Sequence, residues 1–142
     1  MSVVQITCDD TFELLTSDEN TILIDVRTQE ENNFAGIVDS SDFNQRMALI
    51  QWKCYPDMKM NQKFGDELDS ILTKNFKDKD QVKILFMCRS GARSDQAAYF
   101  TTTKGYHNCF NVISGFEGDH NENKQRGTVN GWKASNLPWI QS

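Results

Sequence analysis

Positive charge is in short supply in this chain: 15 lysines and arginines stand against 20 acidic residues, a formal net charge of -5 over 142 residues. Nucleic acids and anionic membrane surfaces demand a basic face, so neither is expected as a partner. The four cysteines, Cys8, Cys54, Cys88 and Cys109, include no C-x-x-C pair, which removes the usual signature of zinc ribbons and thioredoxin-type redox sites. No metal and no cofactor is expected. The N-terminus lacks a basic n-region, and its apolar stretch Val3 to Ile6 is interrupted by Gln5. No signal peptide is visible, and no apolar run approaches the length that spans a bilayer. A cytoplasmic, reducing location with four free thiols is the expectation. Internal repeats and low-complexity tracts are missing as well.

What is present is an ordinary globular composition, 38% hydrophobic and 25% charged. A chain of this length buries roughly two thirds of its unfolded surface and needs no disulfide staples. One domain over residues 1–142 is expected, and with no exposed apolar stripe a monomer is plausible. Thr21-Ile22-Leu23-Ile24-Asp25-Val26 is a β-branched apolar run ended by charge, the pattern of a strand buried on both faces. Lys83 to Met87 and Cys109 to Ile113 repeat it, a weaker strand is expected around Ala48 to Trp52, and Val3 to Ile6 reads as an edge strand.

Helical patterns separate these runs. Phe64, Leu68, Ile71 and Leu72 share one face of a helix expected from about Asn61 to Asn75. Ser94 to Lys104 reads as another, with Ala97 and Ala98 small enough for close packing and Gly105 as its stop. A shorter helix is expected over Asp10 to Leu15, capped by Asp9 or Thr7, and Glu30-Glu31 should begin a further one. The segment Asp39 to Met60 has no clear period and reads as mostly irregular surface chain, and Gly115 to Gly131 as a long polar loop. Strands alternating with helices imply an α/β fold, a mainly parallel sheet with helices on both faces, and ligands at the carboxyl ends of its strands.

One such strand end carries a nucleophile. Lys83 to Met87 runs directly into Cys88-Arg89-Ser90-Gly91-Ala92-Arg93-Ser94, after which the helical pattern starts. Backbone N–H groups of a strand-to-helix turn point into one concavity, and the helix N-terminus adds positive potential. Gly91 suits a turn needing φ > 0, and Arg89 and Arg93 add fixed charge. Such surroundings lower a thiol pKa from about 8.5 into roughly the 3.5–7.5 range. Cys88 is therefore the candidate nucleophile, while Cys8, Cys54 and Cys109 read as structural.

Leu23-Ile24-Asp25-Val26-Arg27, the loop Cys88 to Ser94, the step Gly115-Phe116 and the closing Gly131-Trp132 with Leu137-Pro138 together resemble a single-domain rhodanese-type sulfurtransferase over nearly the whole chain. In that family a C-R-x-G-x-R loop holds a cysteine that carries a persulfide. The resemblance implies catalysis by Cys88, anion binding by Arg89, Ser90, Gly91, Ala92 and Arg93, and support from Asp25 and Arg27. It implies as partners a small anionic sulfur donor such as thiosulfate and a thiophilic acceptor. Two departures stand out. The G-H-I-x-G-A segment of many members is replaced by Gly36-Ile37-Val38-Asp39-Ser40-Ser41, and the glycine pair after the last strand is half kept as Gly115-Phe116.

Two other readings stay open on the residues. Cysteine phosphatases use a related loop, but with five residues between cysteine and arginine, whereas four intervene here; Asp119 would be the general acid. A persulfide carrier or partner-binding module would keep the same loop without turning over small donors. Asp25 and Arg27, two residues apart at a strand end, share a face; Asp25 is placed to orient the active loop and Arg27 to line the cleft, and the two read at least as well as a loop-fixing charge pair. His107 and His120 read as surface residues, Trp132, Pro138 and Trp139 as clamps for the C-terminal tail, and Trp52 and Tyr55 as packing residues.

Overall fold

Alternation between the two faces of a sheet organises the core. The computed structural model describes residues 2–141. In chain order it contains β1 (Val4–Ile6), α1 (Cys8–Ser17), β2 (Thr21–Asp25), α2 (Gln29–Ala35), β3 (Ile37–Val38), a short 3-10 turn (Ser41–Phe43) and β4 (Met47–Leu49). There follow β5 (Lys53–Cys54), β6 (Lys59–Met60), α3 (Phe64–Asn75), β7 (Lys83–Met87), α4 (Ala92–Thr103), β8 (Asn108–Val112) and β9 (Trp139–Ile140). The central sheet is five-stranded in the order β1-β8-β7-β2-β4, and every pairing in it is parallel.

Successive side chains of β2 and β7 point to opposite faces. Ile22, Ile24 and Val26 join Ile84, Phe86 and Cys88 in a cluster with Leu68 and Leu72 of α3 and Ala97 and Ala98 of α4. Leu23, Leu85 and Met87 join Leu15 of α1, Ala35 of α2, Phe116 and Trp132 on the other face. Cys88 thus continues the alternation of β7 by one residue and enters the core from the strand end, with 1% of its surface exposed.

The expected elements form, with shifts at their ends. α1 starts earlier because Thr7 caps it, accepting from the Asp10 N–H at 3.1 Å. α3 begins at Phe64 rather than Asn61, and α4 begins two residues earlier than its pattern, on Gly91 at φ +110°. Glu31 does begin a helix: it closes a capping box with Thr28 at the head of α2. The strand around Ala48 is confined to β4, and β1 and β4 are the two edges of the sheet.

Asp39 to Met60 requires correction. It holds the 3-10 turn, β4 and the β5–β6 hairpin, and it buries Phe43, Ile50 and Trp52. These three reach into different clusters, Phe43 on one face and Ile50 and Trp52 on the other. No helical or strand period relates them, so the segment looks irregular in sequence while serving as core.

Candidate active site

The carboxyl ends of β2 and β7 meet at one edge, Asp25 opposite Met87 in register. From β7 the chain turns through Cys88 to Gly91 into α4. The Gly91 N–H points back at the sulfur, 3.1 Å from Cys88 Sγ, and the Ser94 hydroxyl lies 3.3 Å from it. A buried sulfur thus meets an inward-facing amide at a helix N-terminus, where the partial positive charge of the backbone N–H groups is directed at it.

The loop is held from outside by the segment after β8. Phe116 N–H donates to the Cys88 carbonyl at 2.8 Å, and the Glu117 and Gly118 N–H groups both donate to the Arg89 carbonyl at 3.0 Å. Gly115 makes this approach possible. A Cβ there would lie 2.4 Å from the Cys88 carbonyl oxygen and 2.7 Å from the Arg89 carbonyl. The half of the glycine pair that is retained is therefore the half the loop needs. Behind it, Trp132 N–H donates to the Gly115 carbonyl at 2.9 Å, and the buried Trp132 indole donates to Pro138 O at 2.8 Å. The tail clamp expected of Trp132 and Pro138 is realised, and Trp139 packs edge-on against Phe116.

Arg93 leaves the first turn of α4 toward α2 and forms a bidentate pair with Glu31, at 2.6 and 2.7 Å. Burial pushes the Glu31 carboxyl up, but the Arg93 guanidinium and the Thr28 hydrogen bonds outweigh it and hold the group at about 2. The Arg93 pKa is raised by the same hydrogen bond, which exceeds the opposing effect of burial, and the Cys88 sulfur adds to it. Arg93 thus stands beside Cys88 with its charge already shared by Glu31, a residue that the sequence marks only as a helix starter. The T-x-x-E spacing of the capping box was the visible signal for where Glu31 sits.

Asp25 and Arg27 form a second bidentate pair. Arg27 Nη2 lies 2.7 Å from Asp25 Oδ2, and both side chains are fully buried. The same nitrogen donates to the Gly36 carbonyl at 2.8 Å, and the guanidinium stacks on Phe116 at 4.2 Å from the ring centroid. Arg27 does not line the cleft. The strand-end charge pair that fixes loops is what the geometry displays.

Outside the loop lies a cleft of about 740 Å³, with Arg89 and Arg93 on one wall and Glu117, His120 and Arg126 from the long polar loop on another. Phe34, Tyr55 and Met58 also line it, exposed by 86, 61 and 37%. Tyr55 is thus a rim residue rather than a packing one, while Trp52 is buried. His120 is exposed, as expected, but on this cleft; His107 pairs with Asp80 at 2.9 Å. Asp119 faces Asn130, whose amide donates to its carboxylate at 3.0 Å.

The remaining thiols differ from Cys88. Cys8 donates to the Gly115 carbonyl at 3.4 Å and Cys109 to the Tyr106 carbonyl at 3.8 Å. Burial pushes each up to about 12, so both are inert thiols at neutral pH. Cys54 is half-buried, and all four cysteines are unbridged.

A parallel-sheet domain whose strand-end cysteine is cradled at a helix N-terminus, with an arginine five residues on, defines a recognisable class. Residues 9–122 match the family model of the rhodanese-like domain, and the chain belongs to that family. An uncharacterized protein of Rickettsia rickettsii is 40% identical over 139 residues, covering 98% of both chains. The crystal structure of Rv0390 from M. tuberculosis superposes with a TM-score of 0.87 at 32% identity, covering 100% of both chains. The polysulfide-sulfur transferase homodimer of Wolinella succinogenes shares the fold, with a TM-score of 0.60 at 18% identity over 99% of this chain and 80% of that one. The family is one related to sulfur transfer. No helix among the described residues is long and apolar enough to cross a membrane.

Proposed function

We propose that the chain is a sulfurtransferase that moves sulfane sulfur from a small anionic donor such as thiosulfate to a thiophilic acceptor through a persulfide on Cys88. The observation that carries this reading is the Gly91 N–H aimed at Cys88 Sγ from 3.1 Å at the end of a parallel strand. In the first step the Cys88 thiolate attacks the outer sulfur of thiosulfate. The new Cys88 S–S bond forms as the donor S–S bond breaks, and sulfite leaves with the electron pair. In the second step an acceptor nucleophile such as cyanide takes the outer sulfur, giving thiocyanate and restoring the thiolate.

The amide of Gly91 stabilises the anionic sulfur in both states, which is oxyanion-hole logic applied to sulfur. No general base is required, because the nucleophile reacts as an anion. Arg89 is the arginine on the cleft wall open to a donor, and Arg93 supports the site with its charge moderated by Glu31. With four residues, Arg89 to Ala92, between Cys88 and Arg93, the loop is one residue shorter than a phosphatase loop, which favours sulfur over a phosphoryl group.

The exposed apolar rim of Phe34, Tyr55 and Met58 supports a second reading, in which the persulfide passes to a larger partner and small acceptors are poor substrates. Thiosulfate:cyanide turnover tests both. Cys88→Ser is expected to abolish thiocyanate formation with the fold intact, whereas Cys8→Ser and Cys54→Ser retain nearly full activity. Undiminished activity in the Cys88 variant would overturn the assignment; a persulfide that forms but never reaches cyanide selects the carrier.

A further inference from the structure

Behind Cys88 the structure holds a row of polar side chains that the reaction above does not use. Ser94 Oγ lies 2.5 Å from Asn111 Oδ1, Asn111 Nδ2 lies 2.8 Å from Gln5 Oε1, and Gln5 Nε2 lies 2.8 Å from Asp95 Oδ1. The row runs from the sulfur through α4, β8 and β1 and returns to α4 at the surface. Ser94 and Asn111 are buried, at 0 and 3% exposure.

Its direction is set from the surface end. An ionised carboxylate only accepts hydrogen bonds, so Gln5 turns its NH2 to Asp95 and its carbonyl to Asn111. Asn111 must then turn its NH2 to Gln5 and its carbonyl to Ser94. Ser94 has one proton and three acceptor neighbours: Asn111 Oδ1 at 2.5 Å, Gly91 O at 3.2 Å and Cys88 Sγ at 3.3 Å. The shortest contact takes the proton, which leaves the hydroxyl lone pairs facing the sulfur.

We propose that Asp95 is a positioning residue for Cys88: through Gln5 and Asn111 it fixes Ser94 as an acceptor toward the thiol, so that Ser94 favours S–H over the anion. The Gly91 amide pulls the other way. The two together hold the sulfur between a donor that stabilises the anion and a hydroxyl that stabilises the thiol. The charged groups around the sulfur are Arg89 and Arg93 on the loop and α4, Glu31 on α2 paired with Arg93, and Asp25 at the end of β2 paired with Arg27. β8 adds Cys109, pushed up to about 12 by burial, and β1 contributes no ionisable group.

The inference rests on Cys88 being the reactive sulfur, and it is tested by alkylation alone. The rate of iodoacetamide modification at Cys88, followed by peptide mass against pH, is compared for wild type, Gln5→Leu, Asp95→Asn, Ser94→Ala and Asp95→Asn/Ser94→Ala. Gln5→Leu changes no charge, sits on an exposed edge strand and frees Asn111 to turn its NH2 toward Ser94. Its midpoint should fall by about one pH unit, roughly tenfold faster modification below the midpoint. Asp95→Asn should shift it the same way, because an amide at position 95 lets the whole row reverse. In the Ser94→Ala background most of that shift should vanish.

An unmoved midpoint in Gln5→Leu, or an Asp95→Asn shift of equal size with and without Ser94, overturns the inference. Relay behaviour without any sulfur taken up from thiosulfate would overturn the sulfur-transfer reading and leave this one standing.

Discussion

Two arginine–carboxylate pairs sit at the same end of the sheet, chemically alike and placed differently. Asp25–Arg27 is sealed, with both side chains 0% exposed and the guanidinium under Phe116. Glu31–Arg93 lines the cleft, with side chains 23 and 15% exposed. The sealed pair is shut off from solvent, and Arg27 also donates to the Gly36 carbonyl, so its role is to hold β2 and the Gly36 turn in place. The open pair beside Cys88 moderates charge: Glu31 keeps Arg93 positioned and, in the proposed reaction, lowers the net positive potential that an anionic donor would meet. Proximity to the Cys88 loop does not by itself make an arginine an anion ligand; what it is already bonded to decides.

Breaking the sealed pair should have the largest effect. Asp25→Ala strands the Arg27 guanidinium in the core and is expected to cost roughly 3–5 kcal/mol, read from urea unfolding. A loss below 1 kcal/mol would mean that Arg27 finds water. Next, Gly115→Ala drives a methyl into the Cys88 and Arg89 carbonyls at a residue with φ +61°. A cost of roughly 2–4 kcal/mol is expected, together with an altered Cys88 alkylation rate, because the loop must move.

Opening the exposed pair should be milder. Glu31→Gln keeps a hydrogen bond to Arg93 and should cost about 1–2 kcal/mol. It should also speed modification by the anion iodoacetate relative to neutral iodoacetamide, as Arg93 regains its full charge. The smallest effect is one of pH. The folded Glu31 carboxyl titrates at about 2, below its ordinary 4.5, so the pair stabilises fully above about 4.5 and the contribution is lost as pH falls toward 2. In Glu31→Gln that part of the acid-unfolding curve should flatten.

The parts of this site made by neighbours along the chain are legible in the sequence. Cys88, Gly91 and Arg93 follow β7 directly, so a strand, a short turn and a helix suffice to bring them together. Glu31, His120 and Arg126 are not legible there as site residues. Arg93 meets Glu31 across 62 positions, and the long loop that carries His120 and Arg126 has no period to indicate where it folds back. Tyr55 is hidden for a related reason, since its hairpin lies in a stretch whose core residues Phe43, Ile50 and Trp52 serve opposite faces of the sheet. Gly115-Phe116 is visible as a motif, but its function as the brace of the Cys88 loop follows from backbone hydrogen bonds between segments far apart in the chain.

The central claim is that Cys88 carries transferable sulfur. Intact-mass measurement after incubation with thiosulfate, with peptide mapping and with prior alkylation as control, tests it most directly. The expected result is a gain of one sulfur atom, located on Cys88, matched by one sulfite released, with no gain in Cys88→Ser or after alkylation. Sulfur found on Cys8, Cys54 or Cys109 instead, or none on any cysteine with each donor tried, would contradict it.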